Sequence, residues 1–299
     1  MKLLNRLSTE QVNENTIDID RLLPQEIVKK ISEEDKKVAG VVESQLPQIS
    51  RAAEIFADTL KGGGRVFYIG AGTSGRLGVL DAAECPPTFG TDPAQIIGVI
   101  AGGYETLVLS KEGVEDQADQ AVADLKRYNL NDHDFVIGLA ASRRTPYTVE
   151  GLKYARATGC KTAFIICNRW EESTDLDLDV IIALEVGPEV ITGSTRMKSG
   201  TAQKMTLNMI STTAMVLLGK TYGNLMIDLQ ARSEKLAARS RKILIDLFDI
   251  DVKEADQLLK ESDGSVKVAI VMRKFRCDSS AAKDLLNIAG GFISKIKES

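Results

Sequence analysis

The sequence predicts an α/β fold: a parallel sheet flanked by helices in three layers, with helices before it and a small helical domain after it. Three observations carry this. Five short runs of strand character, at 65–69, 96–100, 134–139, 163–167 and 180–184, are almost continuously apolar, as strands covered on both faces are. Segments of helical pattern at 73–83, 112–126 and 145–158 lie between them, the alternation that builds a parallel sheet. The turns that follow the strands are rich in small and hydroxylated residues, and in such sheets ligands bind beyond the carboxyl ends of the strands.

In chain order, residues 1–62 form an N-terminal helical segment packing on the sheet domain. Pro24 stands at a first-turn position. Between Ser32 and Leu60, residues Val38, Val41, Val42, Leu46, Ile49, Ala53 and Phe56 recur mostly at three- and four-residue steps, a buried stripe, with a kink expected at Pro47. Gly62-Gly63-Gly64 ends it. The sheet domain spans 63–245 and includes long helices at about 196–218 and 223–246. The last part, 246–299, reads as three short helices with Ser265 and Asp278 as N-caps of the second and third.

Composition bounds the function. The 299 residues are 43% hydrophobic and 27% charged with a net charge of −4, which argues against nucleic acid as the main partner. No run reaches transmembrane length and the N-terminus lacks a sustained apolar core, so a cytoplasmic protein with no membrane partner is expected. Cys85, Cys160, Cys167 and Cys277 share no CxxC spacing, so neither a zinc site nor a disulfide framework is expected. The single histidine, His133, sits among turn-forming residues in Asn131-Asp132-His133-Asp134. A Ser-His-Asp triad or a multi-histidine metal site would have to use it, which leaves acid–base chemistry to carboxylates.

The segment Gly64–Gly90 holds the densest chemistry. The strand Arg65–Ile69 breaks into Gly70-Ala71-Gly72-Thr73-Ser74-Gly75 and recovers as a helix, aiming backbone N–H groups and a helix dipole at an anion. The spacing satisfies GxGxxG, yet the second strand ends Val99-Ile100-Ala101-Gly102-Gly103 without the acid that would hold a ribose, so a dinucleotide is disfavoured. A cradle for a small phosphate ester fits better, with Gly72, Thr73 and Ser74 as its donors. Ser142 and Thr145 in Ala140-Ala141-Ser142-Arg143-Arg144-Thr145, and Ser194 and Thr195 in Gly193-Ser194-Thr195-Arg196, either cap helices or bind the ligand, and both roles use the same helix ends. Glu84-Cys85-Pro86-Pro87 sets a carboxylate before two residues that stop a helix. Glu115 lies in an acidic helix opening, where the dipole alone would favour acids.

The motifs ECPPTFG after GAGTSGRLGVLDAA, then AGG, EGVED, GPEVITGSTRMKSGTAQK, LNMIST and YGNLM closely resemble those of N-acetylmuramic acid 6-phosphate etherases in the sugar isomerase (SIS) superfamily, along nearly the whole chain. The resemblance implies a SIS fold with a helical C-terminal portion, a homodimer, and cleavage of the D-lactyl ether of that sugar phosphate to N-acetylglucosamine 6-phosphate and D-lactate in cell-wall amino-sugar recycling. It places the proton donor on Glu84 and the second catalytic carboxylate on Glu115. Arg143 stands where the family usually has glycine, and either adds a charge contact or strains a left-handed turn. Elimination across a ring-opened aldehyde needs only two carboxylates, so no metal or redox cofactor is expected. The rivals are a non-catalytic sugar-phosphate-sensing SIS regulatory protein and an aldose–ketose isomerase.

One distance is awkward. Ser74 and Glu84 are ten residues apart, ~15 Å along an unbroken helix. Either that helix stops early, or Glu84 serves a neighbouring subunit's site.

Overall fold

The computed structural model describes residues 7–170, 176–228 and 234–297. The chain divides into two compact units, Met1–Ala83 with Ala94–Ser211, and Glu84–Pro93 with Thr212–Ser299.

The first unit is built on five parallel strands, β1 (Val66–Gly70), β2 (Ile96–Ile100), β3 (Phe135–Leu139), β4 (Lys161–Ile166) and β5 (Val180–Ala183), in the order β2-β1-β3-β4-β5. All five expected strands are present. Strand β1 and strand β3 are buried along their full length, which is why they read as apolar runs. On one face, α4 (Ala118–Lys126) and α5 (Pro146–Ala157) cover a core that includes Phe67, Ile69, Val136, Leu152 and Phe164. Helix α3 (Gly72–Phe89) lies against the other face, where a side chain at Gly78 would strike Tyr68 and Leu139.

Three sequence expectations are corrected. The kinked N-terminal helix is two helices, α1 (Pro24–Glu43) and α2 (Leu46–Lys61), with Pro47 in the first turn of the second. The missing N–H of proline costs nothing there, whereas inside a helix it removes a bond and clashes. Helix α3 does not stop at Pro86-Pro87 but reaches Phe89. Both prolines fall in its last turn, where Gly90 N still reaches Pro86 O at 3.0 Å. The expected helix at 223–246 begins instead with an antiparallel hairpin, β6 (Thr221–Tyr222) and β7 (Leu225–Met226), turning at Gly223-Asn224. Its helical part is α7 (Glu234–Phe248), and residues 229–233 lie outside those described.

The second unit holds this hairpin and α7, with α8 (Val252–Glu261), α9 (Val266–Phe275) and α10 (Ser279–Ile288), around Leu244, Val266, Ile270 and Ala282. Ser265 accepts from Val268 N at 3.3 Å and Asp278 from Ala281 N at 2.8 Å. Both serve as the expected N-caps.

The N-terminal helices are fastened to the first unit by a buried ionic network. Lys198 Nζ, at the start of α6 (Lys198–Leu217), donates to Glu34 Oε2 of α1 at 2.7 Å, with the two side chains 2% and 3% exposed. Lys37 and Asn15 donate to the other Glu34 oxygen. Burial alone would raise the pKa of Glu34, but these donors outweigh it and hold the carboxyl at about 2 against an ordinary 4.5. Buried Glu189 in turn accepts from Lys198 N and Ser199 N, both at 2.9 Å, capping α6.

We expect Lys198→Met to lower unfolding free energy by about 3 kcal/mol or more, because it strands a buried carboxylate; urea titration measures this. The pair stabilises above pH 4.5 and is lost as pH falls through about 2, so the variant should also show a flatter acid limb. Asp81 behaves oppositely. Burial pushes it up to about 6 despite hydrogen bonds from Tyr68 and Ser211. Its contribution is present below pH 3.8 and lost as pH rises through about 6. Asp81→Asn should therefore raise Tm at pH 7.5 and leave it unchanged or lower near pH 4, a difference read by thermal melts across pH.

Candidate active site

The parallel register brings three strand ends level, with Gly70 opposite both Ile100 and Leu139. Strand β1 lies between β2 and β3, so the connections leaving it and β3 diverge to opposite sides, the switch point at which open α/β sheets bind ligands. A cavity of about 300 Å³ opens there, lined by the turns after β1, β2 and β3.

The turn after β1 starts α3. Gly75 packs so closely on β1 that a Cβ would lie 2.6 Å from Gly70 O, so the helix N-terminus sits directly over the strand end. Gly72, Thr73 and Ser74 all line the cavity, and the first N–H groups of a helix have no intrahelical acceptor. The Ser74 hydroxyl donates to Gln203 Oε1 at 2.8 Å. That hydroxyl is directed at Gln203, while Gly72 and Thr73 face the cavity beside it.

Ser142 and Thr145 also line the cavity. Neither acts as a helix N-cap through its side chain: Ser142 Oγ accepts from Arg144 N at 3.3 Å, and Thr145 stands at the N-cap position of α5 with no capping bond. Thr145 therefore lines the cavity without a capping bond to its own helix. Arg143 has no positive φ, unlike Asn129, Asp249, Asp263 and Arg276. The expected left-handed strain at Arg143 is absent.

Thr195 lines the cavity and Ser194 does not. The N-terminus of α6 beyond them is occupied by the Glu189 carboxylate, so this turn offers no free helix end to an anion.

Glu115 lines the cavity and is half-buried. It does not open a helix, since α4 begins at Ala118. Gly113, at φ +79°, takes the chain out of the helical region and leaves 111–117 irregular. The dipole explanation for an acid at 115 therefore falls away. The loop is held instead by Tyr147 N donating to Glu115 O at 3.0 Å, with the Tyr147 hydroxyl bonded to Asp124 at 2.7 Å. Glu84 is exposed, belongs to the second unit, and is not among the residues lining this cavity.

The cavity also contains residues that sequence reasoning passed over, among them Thr9, Glu10, Arg76, Thr106 and Lys111. Arg76 was recoverable, because it lies four residues after Gly72 and so on the same helix face. Thr9 was not: it arrives through long-range contacts, donated to by Asn168 Nδ2 at 3.0 Å and by Gly193 N at 3.3 Å. His133 is exposed in a turn where its N–H bonds Asn131 Oδ1, far from any role in this lining. Among the described residues, no helix is long and apolar enough to cross a membrane.

Comparison with known proteins agrees with this geometry. A family model for the SIS domain matches residues 117–213, and one for the glucokinase regulatory protein N-terminal SIS domain matches 48–156. An N-acetylmuramic acid 6-phosphate etherase of Bacillus cytotoxicus is 48% identical over 98% of this chain and 99% of its own. That of Clostridium beijerinckii is 49% identical over 98% and 96%, and that of Salmonella agona 48% over 97% of each. A chain so similar over its whole length to these proteins, with a SIS sheet and a cavity at its switch point, belongs to the N-acetylmuramic acid 6-phosphate etherase family.

Proposed function

We propose that this protein is a carbon–oxygen lyase that cleaves the D-lactyl ether of N-acetylmuramic acid 6-phosphate, giving N-acetylglucosamine 6-phosphate and D-lactate. The observation that carries the reading is one cavity in which an anion cradle, Gly72–Ser74 with Ser142 and Thr145, meets a half-buried carboxylate, Glu115, in a chain of this family.

The chemistry follows from the inertness of an ether. Its alkoxide is too basic to leave unaided near neutral pH. Opening the sugar to its aldehyde acidifies the C2 proton and sets the lactyl oxygen β to a carbonyl. The base takes the C2 proton, the C2–C3 double bond forms as the C3–O bond breaks, and an acid protonates the departing lactate oxygen. Water then adds at C3 of the unsaturated aldehyde. The phosphate, held by the cradle at the far end, fixes the register of C2 against the base.

In this reading Glu115 is the base and Glu84 the acid. That α3 runs unbroken to Phe89 supports the second of the two alternatives for Glu84. We therefore place the partner subunit's Glu84 at each cavity, in a homodimer with shared sites. The domain division that goes with this is an N-terminal helical segment at 1–62, a sugar-phosphate-binding domain at 63–245 and a helical domain at 246–299, in a protein working in the cytoplasm.

The regulatory reading differs in one measurable respect, since a sensor binds without chemistry. Incubation with N-acetylmuramic acid 6-phosphate in oxygen-18 water should release D-lactate and place the label at C3 of the amino sugar; tight binding with no lactate would favour the sensor. Glu115→Gln should lower kcat by roughly 10²–10⁴-fold and stop exchange of the C2 proton with solvent, while Glu84→Ala should keep that exchange and lose lactate release. Mixed dimers of Glu84→Ala and Glu115→Ala chains should regain activity at one of their two sites. Verified mixed dimers without activity would overturn the shared site.

A further inference from the structure

Arg76 is a cavity cation whose position the protein fixes with neutral groups, without an ion pair among the described residues. It projects from the second turn of α3, half-buried. Its Nε donates to Leu107 O at 3.3 Å, and its Nη2 donates to Thr106 O at 2.5 Å and Ser110 Oγ at 3.2 Å. All three acceptors are uncharged. Among the described residues no carboxylate forms an ion pair with Arg76, although Glu10, Glu112 and Glu115 line the same cavity. Nη1 has no acceptor among the described residues. A guanidinium held rigid by neutral groups, with one nitrogen open, is arranged to receive an anion.

The substrate of the proposed reaction carries two anions, a phosphate at C6 and a carboxylate on the lactyl group at C3. The phosphate already has its cradle in the backbone of Gly72–Ser74 and the hydroxyls beyond β3. Arg76 instead grips the 106–110 loop, and that loop continues within five residues to Glu115. The anion closest to the proton that Glu115 removes is the lactyl carboxylate, which is separated from C3 only by the ether oxygen and one carbon. Resting on the etherase reading, we infer that Arg76 binds the lactyl carboxylate and so distinguishes the lactyl-bearing sugar phosphate from its lactyl-free product. Lys111, exposed at the cavity edge with no ion pair among the described residues, adds positive potential on the same side.

The assignment separates from a phosphate role by ligand. Calorimetry would compare N-acetylmuramic acid 6-phosphate with N-acetylglucosamine 6-phosphate on Glu115→Gln protein, with and without Arg76→Met. Loss of a charge-assisted hydrogen bond should weaken binding of the lactyl ligand by tenfold to a hundredfold and change binding of the product less than twofold. Arg76→Lys should restore part of the difference. Equal weakening of both ligands would show that Arg76 serves the phosphate or the loop alone, and no weakening of either would show no ligand role; each overturns the inference. Should the variants fold poorly, the unaltered chain decides: replacing the lactyl carboxylate by its neutral carboxamide should raise KM, or Kd, tenfold or more, and an unchanged value would overturn it. Lactate release by the unaltered chain tests the etherase reading separately, because the binding comparison holds whether or not the ether is cleaved.

Discussion

The buried Glu34–Lys198 pair is the constraint from which the site is built. Two charges removed from water stabilise only when each finds its partner and its remaining hydrogen bonds, and here both do. Glu34 receives Lys198, Lys37 and Asn15, and the backbone of Lys198 is held by Glu189. The pair therefore fixes a register as well as a contact: α1 has to meet the first residue of α6, and the turn carrying Thr195 has to end where Glu189 begins the cap. Sliding either helix by one turn would leave a charge unpaired in the interior. Thr195 at the cavity and the Thr9–Glu10 segment beside it inherit their positions from this one fixed point.

A second constraint acts from the sheet. Parallel strands in register end together, so Gly70, Ile100 and Leu139 deliver three turns to one edge. The turn after β1 is short because Gly75 allows α3 to begin almost on the strand. The turn after β2 is long, and it carries Glu115 and the carbonyl groups that grip Arg76. The α3 end is thus backbone that cannot move far, and Glu115 stands on a loop held by Arg76, Thr106 and Tyr147. The division suits the proposed reaction, in which the group anchoring the phosphate must be rigid while the base need only reach one proton.

What the sequence disclosed and what it hid follow from the range of the forces involved. Strands β1 to β5 were legible because burial leaves them almost continuously apolar, with polar residues only at the start of β4. Ser265 and Asp278 were legible as caps because capping is a contact over three residues. The helix starting at 112 was misread because the acids of Glu112–Asp119 resemble a first turn, and only the backbone at Gly113 reveals the break. Pro86-Pro87 was read as a stop because proline is costly inside a helix, yet at its last turn few bonds remain to lose. Glu34, Glu189 and Thr9 were invisible as participants, because each acts through a partner more than eight residues away in sequence, and nothing local marks them.

Electrostatics explains why the cavity mixes its charges. A carboxylate base must share a confined space with a substrate bearing two anions, and at 4 Å two like charges in a partly screened protein repel by about 4 kcal/mol. Meeting both anions with cations would hold the substrate tightly in its ground state and would also bind the base, lowering its readiness to take a proton. In the proposed complex the phosphate faces mainly neutral N–H dipoles at the α3 end, while the guanidinium of Arg76 bonds two carbonyl groups and a serine hydroxyl and forms no ion pair with Glu10, Glu112 or Glu115. Glu115, the proposed base, is left without an ion-pair partner among the described residues. In the proposed reaction the same carbonyl groups that neutralise nothing hold the cation away from the base, so the loop 106–115 would set the substrate's second contact and the base's freedom together.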